Sequence, residues 1–440
     1  MIVMKFGGTS VGDATRIRDV AAIVRGRLAR RPVVVVSAMT GVTDALLGAF
    51  ARAGAGRRAG GELASRHETQ ARRLGVPATE LATELGRLRE TLEGVRERRS
   101  KSPRDRDRVV SFGERLSARL VAACLRNEGI PATAVRADEA GLVTDDAFGE
   151  AEPLPAAQPN LRRALARIRG VPVVTGFIGC TRDGSITTLG RGGSDFTAAL
   201  VGAAIRAEEV EIWTDVNGVM SADPRVVPQA HTIDRLSFAE AAELAYFGAK
   251  VLHPKTLLPA MRRGIPVRVL NTHEPSQPGT RVSRTADRSR DVVKAIAAKK
   301  GIVVVNVVST RMLLAHGFLA RLFQVFADHR IPVDLLSTSE VSVSMTVDRT
   351  GHLREAVHEL RRFSQVDVRR GRALVSVVGE GMIHSAGMAG RVFAALGEEG
   401  VNVEMVSQGA SKLNLSFVVR ADDADRAVRV LHARFFGRGR

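Results

Sequence analysis

The stretch Pro32-Val33-Val34-Val35-Val36-Ser37-Ala38-Met39-Thr40-Gly41-Val42-Thr43-Asp44 sets the fold class of this chain. Four consecutive valines without a polar break read as a strand buried on both faces, and the hydroxyls and glycine after them open a helix. Other apolar runs repeat the theme at Ile2-Val3-Met4, Val171 to Ile178, Val210 to Trp213 and Val267 to Leu270. Helical patterns fall between them: Phe112 to Asn127, stopped at Gly129, the small-residue run Ser194 to Arg206, and Phe238 to Phe247. Buried strands alternating with helices imply a mostly parallel sheet covered on both faces, which binds ligands at the carboxyl ends of its strands.

A chain of 440 residues, 45% hydrophobic and 25% charged, fits two or three globular domains. No uninterrupted apolar window is long enough to span a bilayer, and Ile2-Val3-Met4 lacks the flanks of a signal peptide. Cys124 and Cys180 are isolated, which argues against a disulfide framework or a zinc site and fits a cytoplasmic location. The net charge of +18 raises the question of nucleic acid. Its arginines are spread along helices, and aromatics make up only 4%, poor material for base stacking. Neither a nucleic-acid partner nor a membrane is expected.

Beyond the turn-rich connector Glu274-Pro275-Ser276-Gln277-Pro278-Gly279 and a charged stretch ending at Asp291, the sequence repeats itself at an offset of seventy residues. Gly317-Phe318-Leu319-Ala320-Arg321 matches Gly387-Met388-Ala389-Gly390-Arg391, Phe323 falls on Phe393, Asp334 on Glu404, and Ser337 on Ser407. Each copy reads strand, Gly-started helix, strand, strand, helix. The first adds a strand at Val366 to Val368, whereas the second ends on a helix, Ala424 to Phe436. An unmatched strand, Val292 to Ala297, stands before the first copy. Since an incomplete sheet leaves an exposed edge, this strand is expected to complete the second unit, with the first inserted in it.

Four clusters carry chemistry. Lys5-Phe6-Gly7-Gly8-Thr9-Ser10 places one of only eight lysines among 65 basic residues before two glycines and two hydroxyls. Such a loop is either a turn or a cradle whose N–H groups approach an anion. Ser37 to Asp44 is either an anion site or a helix capped by Thr40 or Thr43. Thr187 to Asp195 sets three glycines around Arg191, whose guanidinium suits a carboxylate or phosphate, with Asp195 able to face a cation. The last comprises Trp213-Thr214-Asp215-Val216-Asn217-Gly218-Val219-Met220 and Asp223-Pro224-Arg225, followed by Gly248-Ala249-Lys250-Val251-Leu252-His253. His253, before Pro254, reads as a capping or packing residue. Anion cradles, scarce lysines, an Arg fork and carboxylates together are the equipment of phosphoryl transfer, where positioning and charge neutralisation dominate catalysis.

These motifs resemble, in order and spacing, those of the aspartate kinases, and the duplicated tail is similar to tandem ACT domains. The resemblance implies an amino-acid-kinase-like three-layer α/β/α catalytic domain over 1–285, followed by two ferredoxin-like βαββαβ ACT domains. The first would span 300–370; the second would combine 290–299 with 371–440. The implied reaction is transfer of the ATP γ-phosphoryl group, with Mg2+, to the β-carboxylate of L-aspartate. That is the first step toward lysine, threonine, methionine and diaminopimelate. By the same resemblance Lys5 and Asp195 are catalytic, while Thr43, Glu114, Arg191 and Asp195 hold aspartate. Lys5, Gly7, Gly8, Ser10, Thr214, Asp215, Met220, Arg225, Lys250 and Val251 meet ATP; no metal ligand is named. Met312, Gly317, Phe318, Leu319, Asp334, Ser339 and Glu340 match positions that cradle an inhibitory lysine in the single-function, lysine-sensitive branch. ACT units imply a homodimer or tetramer. Other readings are a related amino-acid kinase with another substrate, or a catalytically dead amino-acid sensor.

Overall fold

The computed structural model describes residues 1–246, 254–285, 292–312, 316–348, 350–382, 385–409 and 413–437. The chain divides into two compact units. One comprises Met1–Val219, Thr232–Ala242 and Val251–Ala286; the other comprises Met220–His231, Glu243–Lys250 and Asp287–Arg440. Two short segments inside the span expected for the front domain, Met220–His231 and Glu243–Lys250, therefore belong to the second unit.

The strands of the first unit are β1 (Ile2–Phe6), β2 (Pro32–Val36), β3 (Ala132–Val135), β4 (Val171–Thr175) and β5 (Ile178–Cys180). They continue with β6 (Ile186–Thr188), β7 (Glu209–Thr214), β8 (Arg235–Ser237), β9 (Val267–Asn271) and β10 (Thr280–Ser283). Eight of them form one sheet in the order β3-β4-β2-β1-β7-β9-β10-β8, parallel except between β9 and β10. The helices begin with α1 (Ala14–Arg25), α2 (Val42–Gly54), α3 (Gly61–Arg73), α4 (Thr79–Arg98) and α5 (Pro103–Val110). Then come α6 (Phe112–Asn127), α7 (Ala157–Leu165), α8 (Gly193–Ile205), α9 (Phe238–Tyr246) and α10 (Pro254–Arg263).

Side-chain alternation along β1 produces the three layers. Ile2, Met4 and Phe6 share a core with Ile17 and Val20 of α1 and with Leu116 and Leu120 of α6. Val3 points the other way, toward α8. There a Cβ on Gly202 would meet Val210 Cγ2 at 2.7 Å and Val3 Cγ2 at 3.8 Å, so only glycine lets the helix approach this closely. A buried ion pair between Arg115 of α6 and Glu84 of α4 fixes α6, and the Arg115 guanidinium also lies 3.9 Å from the centroid of the Phe112 ring.

One expected strand is broken. Val171 to Ile178 does not run through: β4 stops at Thr175 and β5 starts at Ile178 to pair with β6. Phe177 has φ 67°, a left-handed conformation that strands do not use. A Cβ on Gly176 would sit 2.6 Å from the Ser194 side chain. The apolar pattern is that of a strand, but the chain turns where α8 presses on it.

The second unit holds a six-stranded antiparallel sheet in the order β12-β13-β11-β14-β16-β15. Its members are β11 (Ala295–Val308), β12 (Leu336–Thr338), β13 (Ser342–Val347), β14 (Gln365–Val378), β15 (Met405–Ser407) and β16 (Asn414–Arg420). The helices α11 (Phe318–Asp328), α12 (Leu353–Leu360), α13 (Met388–Glu398) and α14 (Ala424–Phe436) accompany them. β11 and β14 are continuous, not the separate short strands read from the sequence. Ala295–Lys300 pair with Ala373–Val378, and Val304–Val308 pair with Gln365–Arg369, with register shifts around Ile302. Gly317 and Gly387 start α11 and α13 at φ 82° and 77°, which accounts for the glycine that opens each repeat.

Candidate active site

Neighbouring strands β2, β1 and β7 end together, and backbone hydrogen bonds tie their loops. Gly7 N–H donates to the Trp213 carbonyl at 3.2 Å, and Ser37 N–H donates to the Phe6 carbonyl at 3.1 Å. Gly8 receives both the N–H and the hydroxyl of Thr40 on its carbonyl, at 3.2 and 2.9 Å. A Cβ at Gly8 would lie 2.9 Å from the Ala38 carbonyl, so this close approach of two loops requires glycine.

Lys5, on β1, is buried, and its Nζ forms an ion pair with Asp195 Oδ1 at 2.7 Å. Asp195 stands in the first turn of α8, whose cap, Gly192, has φ 71° and supplies no side-chain hydrogen bond. The uncapped N–H groups and helix dipole add positive potential beside the pair. Lys5, Gly8, Thr43, Glu114 and Asp195 line one cavity of about 380 Å3, together with Ser37, Thr40, Asp44 and Phe177. Ser37, Thr40 and Asp44 belong to the cluster read above as an anion site or a helix cap, whereas Phe177 was not singled out. The left-handed Phe177 carries no local signal, because it arises from α8 meeting β4.

Glu114 is the deepest carboxyl in the pocket. Its Oε1 accepts the Ala38 N–H at 3.0 Å, while Oε2 is buried without a hydrogen-bond partner among the described residues. Burial pushes the carboxyl up to about 8, opposed by the hydrogen bond from Ala38. Glu114 is therefore mostly protonated at pH 7, and a cation brought beside Oε2 would favour its ionised form.

The other expected residues do not line this pocket among the described residues. Gly7 is close to Lys5, since a Cβ there would lie 3.5 Å from Lys5 Nζ. Ser10 turns away to share a 2.7 Å hydrogen bond with Thr272, a residue that nothing in the sequence linked to it. Thr214 donates to Asp215 Oδ1 at 3.2 Å, just past the end of the β1–β7 pairing. Arg191 is exposed on the loop between Gly190 and Gly192. Met220 and Arg225 belong to the second unit, where Arg225 Nη2 pairs with Asp223 Oδ2 at 2.6 Å. Lys250, Val251 and His253 lie outside the described residues.

The expected effector residues gather around the first repeat. Phe318 packs edge-on against Phe363 at 5.9 Å, Leu319 is exposed, and Ser339 shares a 2.7 Å hydrogen bond with Ser342. Gly317 starts α11, Met312 closes a short 3-10 turn, and Glu340 is exposed. The Asp334 side chain is only 5% exposed; it accepts the Tyr246 hydroxyl and has Lys299 Nζ at 3.9 Å.

Residues 1–271 match the amino acid kinase family, and residues 305–362 and 375–435 match the ACT domain. The chain is 40% identical to aspartokinase 2, chloroplastic, of Arabidopsis thaliana, covering 99% of this chain and 84% of that protein. It is 39% identical to lysine-sensitive aspartokinase 3 of Escherichia coli, covering 99% of each. The crystal structure of E. coli aspartokinase III in complex with aspartate and ADP superposes with a TM-score of 0.82 at 37% identity. That match covers 99% of this chain and 100% of the other.

Glu114 can be tested without any ligand. A carboxyl whose folded pKa of about 8 exceeds its unfolded value of 4.5 supports folding fully below the lower value, and that support is lost as pH rises to the upper one. Relative to Glu114→Gln, the wild-type chain should lose about 1.4 kcal/mol of stability per pH unit across that window. Denaturation midpoints at pH 5 to 8.5 measure this, and parallel curves for the two proteins would contradict it.

Proposed function

The chain belongs to the aspartokinases of the amino acid kinase family, and we propose that it transfers the γ-phosphoryl group of ATP to the β-carboxylate of L-aspartate, giving 4-phospho-L-aspartate. The convergence of Lys5, Asp195, Glu114 and Thr43 on one cavity at the strand ends carries this reading. The acceptor is a side-chain carboxylate with a pKa near 4, ionised at pH 7, so no general base is needed. One carboxylate oxygen attacks the γ-phosphorus as the bond to ADP breaks. The task left to the protein is to align two anions and offset their repulsion.

Lys5 does this at the reacting phosphoryl group. Asp195 holds its ammonium in place before substrates arrive, so no reorganisation is required when charge moves. Arg191 clamps the substrate α-carboxylate, and Glu114, Asp195 and Thr43 surround its ammonium. Gly7, Gly8, Ser10, Thr214, Asp215, Met220, Arg225, Lys250 and Val251 form the nucleotide side. Magnesium travels with the nucleotide. Among the described residues no cluster of three or more His, Cys, Asp or Glu could hold a metal ion. The ion would be held mainly by phosphate oxygens, with Asp215 as the one carboxylate offered to it.

Regulation belongs to the second unit. L-lysine, bound by Met312, Gly317, Phe318, Leu319, Asp334, Ser339 and Glu340, inhibits by favouring one global state. ACT1 is residues 300–370, and ACT2 is 290–299 with 371–440, the first inserted in the second. Pairing of ACT units makes the protein a homodimer or tetramer in the cytoplasm. Among the described residues no helix is long and apolar enough to cross a membrane.

A hydroxamate assay for acyl phosphate, with Mg-ATP and aspartate and then with added lysine, tests the whole reading; no acyl phosphate would sink it. Lys5→Ala should lower kcat at least a hundredfold, with a much smaller change in aspartate KM. Arg191→Ala should raise aspartate KM at least tenfold, and an unaltered KM would remove Arg191 from the substrate. In Asp334→Ala the half-inhibitory lysine concentration should climb tenfold or more, whereas unchanged inhibition would move the effector elsewhere.

A further inference from the structure

Met220 and Arg225, proposed above as nucleotide contacts, lie on a segment of the second unit in which Ser221 is fully buried. The Ser221 N–H donates to the His231 carbonyl at 2.9 Å, and its carbonyl accepts the Ile296 N–H of β11 at 2.8 Å. Its hydroxyl oxygen accepts the His231 N–H at 3.0 Å and lies 3.2 Å from His231 Nδ1 and 2.9 Å from Nε2 of His432, on α14. Phe436, one turn beyond His432, packs its ring 4.7 Å from that imidazole and 5.2 Å from His231. Ala222 and Val227 share the core of Ile296, Val428 and Leu431.

The proton count at Ser221 is closed. A hydroxyl has one proton and two lone pairs. One lone pair takes the His231 backbone N–H; the proton goes to one imidazole and the second lone pair takes an N–H from the other. Burial lowers the pKa of His432, with His231 acting in the same direction. Four residues after this knot, Arg225 is 81% exposed, its guanidinium braced by Asp223 at 2.6 and 3.0 Å. An exposed, braced guanidinium beside a rigid anchor is suited to meet a phosphate.

We infer that His432 is a positioning residue for the nucleotide: through Ser221, the C-terminal helix of the second ACT unit fixes the segment that presents Met220 and Arg225. His432 touches no substrate itself. The inference rests on the proposed contact of those two residues with ATP. A histidine that merely fills the core would affect both substrates alike when replaced.

Full-length His432→Ala should raise KM for ATP at least fivefold while KM for aspartate stays within twofold. His432→Gln, whose amide can reach the same hydroxyl, should restore KM for ATP to within twofold of wild type. Ser221→Ala should reproduce the alanine effect, and it carries the test by the same criteria if His432→Ala does not fold. An unchanged KM for ATP, or equal rises for both substrates, overturns the inference. Arg225→Ala separates it from its premise. If that variant leaves KM for ATP unchanged, the nucleotide assignment fails; if it raises KM while His432→Ala does not, the inference alone fails.

Discussion

Bringing two negative charges into contact is the constraint on which this architecture turns. A carboxylate and a phosphoryl oxygen at about 4 Å repel by about 4 kcal/mol at an effective dielectric near 20. Lys5, proposed above to offset this, has its stem fixed in the central strand and its ammonium held by Asp195 at 2.7 Å. The pair neutralises itself, which makes burial of the ammonium tolerable. A compact ammonium can be shared among Asp195, nucleotide and acceptor, whereas a planar guanidinium would fix one bidentate partner.

Parallel strands supply the geometry that this constraint demands. β1 lies between β2 and β7, so its Gly7-Gly8 loop is bonded on both sides, to Trp213 and Thr40. α8 brings Asp195 from farther along the chain, and its fit depends on Gly176, Gly193 and Gly202, where any Cβ would collide. Glu114 completes the site in the opposite electrical sense. Burial raises the pKa of this carboxyl and leaves Oε2 without a hydrogen-bond partner among the described residues, so a cation beside it would both draw off the proton and pair the oxygen.

Much of this was legible from local pattern. Unbroken apolar runs announced the buried strands, and the glycines around Arg191 announced a loop opening α8, because both follow from rules that act over a few residues. Long-range contacts hid the rest. Ser10 meets Thr272 across more than half the chain, Phe177 turns left-handed under α8, and Arg115 pairs with Glu84 on another helix. The repeat disclosed two similar units, but not that each long strand, β11 and β14, serves both. A run such as Val303-Val304-Val305 looks the same whether its strand serves one neighbour or two.

The division of the chain also bears on how regulation can reach the chemistry. A ligand shifts a conformational equilibrium only by its difference in affinity for the two states. The Asp334 carboxylate, proposed above as an effector contact, already accepts the Tyr246 hydroxyl and faces Lys299, so an ammonium that met it would gain only the surplus over those contacts. Tyr246 ends α9, whose first residues belong to the first unit, and Met220–His231 is likewise sequence from within the front domain that folds with the second. Each such segment has its backbone fixed in one unit and its chain neighbours in the other. Whatever coupling joins a ligand of the second unit to a ligand of the first, linkage requires it to act equally in both directions.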